Sequence, residues 1–198
     1  MEDSKMKLQI RRAQEGDLSR LISLYRAVAS VSSGLARRES EITEQFGRNL
    51  LAETQLHGLL MVVEDASREL IGAIHARHGE AESLRHVMGH LTILVHPDSQ
   101  SKGIGRRLFQ EFLQVVQKQF HFVLRVELRA RASNIEALRF YRSLGFIEEG
   151  RFRFRIRAVN GDFEDGIPMV WFNPCWEKRL LLDAPLEVAL GLAVYLKP

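Results

Sequence analysis

The chain of 198 residues has one cysteine, Cys175, which rules out an internal disulfide framework and a thiolate metal cluster and fits a reducing compartment. It lacks a long unbroken apolar run. The most apolar stretch, residues 180–196, is interrupted by Asp183, Pro185 and Glu187, so no membrane span is expected. Met1 to Lys7 is charged and has no apolar core, so no export signal is expected and a cytoplasmic location is. An excess of one charge is missing too: 28 Lys and Arg against 25 Asp and Glu give a net charge of +3. That tolerates an anionic ligand but does not argue for nucleic acid, for which aromatic platforms are also lacking. There is no helical HExxH, and His86, His90 and His96 are strung along one extended segment, so no metal is expected.

With 45% hydrophobic and 27% charged residues, the composition is globular and the length fits one domain, residues 1–172, followed by an apolar extension, residues 173–198. Leu8 to Arg12 reads as a strand, and a helix follows from about Asp17, with Leu18, Leu21, Ile22, Tyr25 and Val28 on one face. Residues 30–40 read as a loop and 42–56 as a second helix. Leu59 to Glu64 and Leu70 to His78 read as a hairpin, and Val87 to Val95 as a third antiparallel strand. A long amphipathic helix through Leu108, Phe112 and Val116, a strand over 123–130, a helix from Asn134 and a last hairpin complete an α+β order.

The most informative stretch is Val95-His96-Pro97-Asp98-Ser99-Gln100-Ser101-Lys102-Gly103-Ile104-Gly105-Arg106, which runs from a strand through a glycine turn into a helix. Backbone N–H groups at such a turn approach an anion closely and the helix N-terminus adds partial positive charge, so a diphosphate is the natural guest. No Gly-Lys-Ser/Thr closes the loop as in a P-loop, and Leu108 stands where a dinucleotide fingerprint needs a third glycine. The order Val-x-Pro-x-x-Gln-x-x-Gly-x-Gly resembles the acyl-CoA signature of the GNAT superfamily of N-acetyltransferases. A second motif, Asn134-x-x-Ala137-x-x-x-Tyr141-x-x-x-Gly145-Phe146, resembles the same superfamily.

The resemblance covers about residues 8–172 and implies the acyl-CoA N-acyltransferase fold, a mixed, mostly antiparallel sheet flanked by helices. It implies acetyl-CoA as co-substrate, held by Ile93, Leu94 and Val95 on a strand splayed from its neighbour, by Gln100, Ser101, Lys102, Gly103, Ile104, Gly105 and Arg106 at the diphosphate, and by Asn134. It implies an oxyanion donor near the N–H of Leu94 and a general acid, Tyr141, facing the thioester sulfur. The base is open. In phosphinothricin-type acetyltransferases the proposed glutamate matches His90, whose imidazole suits a proton acceptor at neutral pH. A half-buried strand histidine is the plain alternative, and His75, Glu127 or a water chain are others. The expected acceptor is a small amine, an amino acid or amino-acid-like compound. A peptide N-terminus, or a CoA-sensing module without catalysis, would also use these motifs.

Arg151 to Arg157 alternates arginine with Phe152, Phe154 and Ile156, which predicts a strand with a solvated arginine face, or one that offers an arginine to the acceptor. Leu186 to Leu196 is apolar nearly all round; a helix there needs a buried berth or a second copy of the chain, a homodimer.

Overall fold

A computed structural model describes residues 8–31, 35, 37–158 and 161–176. Helix α3 (Ile104–Gln119) shows how the sequence builds the layers. Ile104, Leu108, Phe109, Phe112, Leu113 and Val116 recur at helical spacing and all are buried, each worth about 1.5–3 kcal/mol of transfer free energy. They pack with helix α4 (Ile135–Ser143) through Leu138 on one face of a sheet. Helices α1 (Leu18–Val31) and α2 (Glu44–His57) cover the other face with Leu21, Leu24, Tyr25, Val28 and Leu50.

The sheet between them contains β1 (Gln9–Arg12), β2 (Gly58–Glu64), β3 (Leu70–His78), β4 (Val87–Val95), β5 (Arg125–Arg131), β6 (Ile147–Glu148), β7 (Phe152–Arg157) and β8 (Phe163–Phe172). Its order is β1-β2-β3-β4-β5-β8-β6, with β7 also on β8. Every pairing is antiparallel except β4 with β5. That one parallel contact follows from the crossover through α3. Strand alternation divides the faces: Leu94 and Ala73 pack with α1 and α2, while Ile93, Val95, Ile74 and Ala76 pack on the α3 side.

Several boundaries depart from the sequence reading. Asp17 does not cap α1 forward; it accepts from the N–H of Gln14 (2.8 Å) behind it and is clamped by Arg11 (2.7 and 2.9 Å) and Arg20. Thr43 caps α2 through the N–H of Phe46 (3.1 Å). Strand β8 begins at Phe163, earlier than Ile167, and β6 has too few residues to signal itself. The alternation of β7 is broken: Phe154 has φ +53 and is 71% exposed, and the pairing skips between Phe152 and Ile156. The cause is Asp165, whose carboxylate accepts from the N–H of Phe154 (2.9 Å) and the Nε of Arg151 (2.6 Å) and so displaces the regular ladder. Asn173 is buried and donates to the Val123 carbonyl (2.9 Å). The apolar helix and the dimer contact expected of the extension fall at residues 177–198, outside the described residues.

Candidate active site

The site starts from a parting of strands. β4 pairs with β5 only at Val87–Arg125 and Met88–Val126, so beyond Met88 one edge of β4 has no strand beside it. The other edge stays on β3. The N–H of His96 donates to the Ile71 carbonyl (2.9 Å), which fixes the phase of that ladder. Bonded pairs fall at Ile71/His96, Ala73/Leu94 and His75/Thr92. Leu94 therefore directs its backbone groups to β3, and Ile93 and Val95 direct theirs into the gap. Leu94 itself contributes a buried side chain on the α1 side.

Below the gap, β4 bulges. Arg77 faces Gly89 and His75 faces Thr92, so His90 and Leu91 stand against one residue of β3, and His90 takes the left-handed φ of +54. A bulge re-aims the side chain it carries. His90 is exposed at the wall of an open groove of about 1500 Å³ that also reaches Tyr25, Arg37, Phe46, Glu53, His75, Leu91, Ile93, Glu127, Arg129 and Tyr141.

Above the gap lies the glycine turn. Pro97–Ser99 forms a short 3-10 turn, and Gly103, at φ +76, is the N-cap of α3 with no side chain closing the helix end. The N–H of Arg107 reaches the Gly103 carbonyl (3.1 Å), so the N–H groups of Ile104, Gly105 and Arg106 precede the first helical bond and point out of the helix end. A Cβ at Gly103 would meet nothing within 4 Å: this is a cradle open to an anion, and it fits the diphosphate of acetyl-CoA. Ser101 shares the left-handed turn at φ +60. Lys102 ties its Nζ to the Asp98 carbonyl (2.7 Å) and keeps its charge at the loop. Arg106 lies over the Phe140 ring and donates to Ser143 (2.8 Å), at the junction of α3 and α4. Gln100 donates its side chain to the Val95 carbonyl (3.2 Å) and its N–H to the Pro97 carbonyl (3.2 Å), so it pins the loop to β4. Asn134 caps α4, accepting from Ala137 (3.0 Å). The cap uses its oxygen and leaves its amide nitrogen as a donor.

Tyr141 is set by α4 and wedged among Phe109 (5.9 Å between ring centroids), Phe140 (5.5 Å) and Phe146 (6.1 Å). Burial pushes its phenol up to about 12, so it is a fixed O–H donor on the groove. Though exposed, His90 is held below the usual imidazole value, first by partial desolvation against the groove wall and then by the charges of Arg77 and Arg129, which favours the neutral ring. The other candidates fare worse. Burial first, and then the charges of Arg77 and Arg37, take His75 down to about 3, too weak a base. Glu127 is paired with Arg125 (2.8 Å) and Glu53 with Arg77 (2.8 Å).

Of the arginine ladder, Arg151 lines the groove and is paired with Asp165. Arg37, on the 30–40 loop that the sequence left open between an outward-pointing connection and a border of the acceptor pocket, lines the groove and is stacked on Phe46 at 4.5 Å, where it meets Tyr25, read from the sequence as part of the apolar face of α1. Their meeting depends on a loop, α1 and α2 folding onto β3, which no local pattern records. Among the described residues no three His, Cys, Asp or Glu side chains gather as metal ligands, and no helix is long and apolar enough to cross a membrane.

Residues 56–148 match a family model described as an acetyltransferase (GNAT) domain. A search of curated proteins found no match. Among solved structures, a phosphinothricin acetyltransferase from Sinorhizobium meliloti in complex with AcCoA is 19% identical, with a TM-score of 0.74 over 85% of this chain and 89% of that one. A ribosomal-protein-alanine N-acetyltransferase from Brucella melitensis is 22% identical, with a TM-score of 0.73 over 83% and 99%. A spermidine N-acetyltransferase from Vibrio cholerae, in complex with CoA and spermine, is 22% identical, with a TM-score of 0.69 over 86% and 98%. The three relatives act on three kinds of acceptor, so the shared fold does not select one. The parted strands and the glycine turn agree with the match, over residues 56–148, to an acetyltransferase (GNAT) domain.

Proposed function

We propose that the protein is an acetyl-CoA-dependent N-acetyltransferase that acetylates a primary amine of a small molecule, of the amino-acid class, by direct attack within a ternary complex. The observation that carries this reading is the free edge of β4 running from His90 to the Gly103 cradle, with Tyr141 on the same groove. Acetyl-CoA supplies an activated thioester carbonyl. The edge groups of Ile93 and Val95 would pair with its pantetheine amides as an added strand does, and Ser101 to Arg106 would hold the diphosphate. His90 would take the proton of the incoming amine, which has an ordinary pKa of ~10 and must lose it to attack. An edge N–H of Ile93 or Val95 would face the carbonyl oxygen as negative charge develops there. Tyr141 would present its O–H to the departing sulfur.

A peptide amine is the second reading, supported by the likeness to a ribosomal-protein-alanine N-acetyltransferase. The lone cysteine supports work in the cytoplasm.

The cradle is tested by Gly103→Val. A β-branched residue at φ +76 is strained by about 1–2 kcal/mol and its side chain enters the space left to the phosphates. Calorimetry should show acetyl-CoA binding weakened at least about tenfold with the fold intact. Unchanged affinity would remove the cradle from the account.

A further inference from the structure

The wall of the groove built by α1 and α2 holds a polar group that the chemistry above leaves idle. Tyr25 is 2% exposed, lines the groove, and its hydroxyl is buried with no hydrogen-bond partner among the described residues. Leaving a buried hydroxyl unpaired costs about 1–3 kcal/mol, a cost that a ligand reaching this wall would remove. The ring cannot swing away to water. It stands edge-on to Phe46 (5.2 Å between centroids, 74°) and against His75 (6.4 Å).

The same Phe46 ring carries the guanidinium of Arg37 on its face, at 4.5 Å. Arg37 makes no ion pair among the described residues, whereas Arg77 and Arg151 on the same groove are bound to Glu53 (2.8 Å) and Asp165 (2.6 Å). Its short loop is anchored on both sides: the Leu35 carbonyl accepts from Arg131 (3.5 Å), and the N–H of Arg38 donates to Glu41 (2.7 Å). The charge of Arg37 is felt at both the Tyr25 hydroxyl and the His75 ring. This corner thus joins an uncompensated guanidinium to an idle O–H donor and a neutral imidazole. Such a set attracts an anion with two oxygens in a plane, and it repels a second cation.

We infer that Arg37 and Tyr25 form a carboxylate subsite, so that the amine acetylated here belongs to a molecule with a free carboxylate, an amino acid and not a polyamine. The inference rests on the acetyltransferase reading and adds the acceptor's second anchor to it. Arg37 pairs with the carboxylate through its fork, Tyr25 donates to one of the same oxygens, and the amine is left facing His90.

The test uses the full chain with acetyl-CoA and three acceptor sets: free amino acids, the same amino acids as carboxamides, and spermidine. For the preferred side chain the acid should exceed its carboxamide at least about tenfold in kcat/KM, a difference of ~1.4 kcal/mol. Arg37→Gln should raise KM for the acid by a similar factor, leave kcat nearly unchanged and abolish the preference. Tyr25→Phe should raise the same KM without lowering Tm, because the hydroxyl it removes has no partner within the fold. Carboxamides or spermidine used as well as acids, or an acid preference that survives Arg37→Gln, would overturn the subsite. Should no acceptor turn over, the acetyltransferase reading fails by itself, and calorimetry with N-acetyl amino acids and their carboxamides decides the subsite. Acid-selective binding lost in Arg37→Gln upholds it, and equal binding of the two sets overturns it.

Discussion

Tyr141→Phe separates two ways in which a phenol can help a thiolate leave. Burial holds the phenol at about 12, while a departing thiolate resembles a cysteine at ~8.5. Full transfer of the proton would therefore run uphill by about 3.5 units, or ~5 kcal/mol at 1.36 kcal/mol per unit. Tyr141 is better placed to donate a hydrogen bond to the sulfur as charge builds on it. A hydrogen bond to a charged group is worth about 1.5–3 kcal/mol, so kcat should fall about 10- to 150-fold, with acetyl-CoA affinity within a factor of about two. Phenylalanine keeps the ring among Phe109, Phe140 and Phe146, so stability should change by less than about 0.5 kcal/mol. Stopped-assay kcat values, calorimetric affinity and urea unfolding measure the three quantities. A loss under about threefold would take Tyr141 out of the reaction, and one of about 10³-fold or more would refute donation in favour of full transfer.

His90→Gln should lower kcat/KM at least about 100-fold and flatten the acid limb of its pH profile. Neutral imidazole is the working form and its pKa is depressed, so in the wild type activity persists below the ordinary ~6.5 and is lost as pH falls through the lowered value; Arg129→Gln should move that midpoint upward. Asp17→Asn should destabilise the fold. Arg11 and Arg20 keep 20% and 30% of their side chains exposed, so urea unfolding should show a loss of about 2–3 kcal/mol, less than the ~3–5 expected of a sealed pair. Asp17 itself is held below the usual carboxylate range, chiefly by its hydrogen bond from Arg11. Its contribution is complete above the unfolded value of ~3.9 and fades as pH falls through the folded one, so the mutant's deficit should shrink in strong acid.

What could be read from the sequence was carried by local signals. The run into Pro97, the glycines at 103 and 105, and the Asn134 cap with Gly145 in the left-handed region at φ +90 each act within a few residues. The features that escaped depend on partners far away in the chain. Whether Leu94 or its neighbours face the gap depends on the phase of the β3 ladder, set by one bond from His96 to Ile71. The aim of His90 depends on a bulge that appears only when Gly89 and Thr92 pair across β3. The regular alternation of residues 151–157 pointed to a flat strand, and the carboxylate of Asp165 bent it. Tyr25 satisfied the helical period of a core residue, and only distant elements bring Phe46 against its ring and Arg37 over Phe46.

The most direct measurement is acetyl-CoA-dependent thiol release by the full chain over amino acids, their carboxamides, polyamines and short peptides, with the product identified by mass. The account predicts turnover that is concentrated on free amino acids and yields an N-acetyl product. Tight acetyl-CoA binding with no acetyl transfer to any amine would contradict it and leave a CoA-binding module in its place.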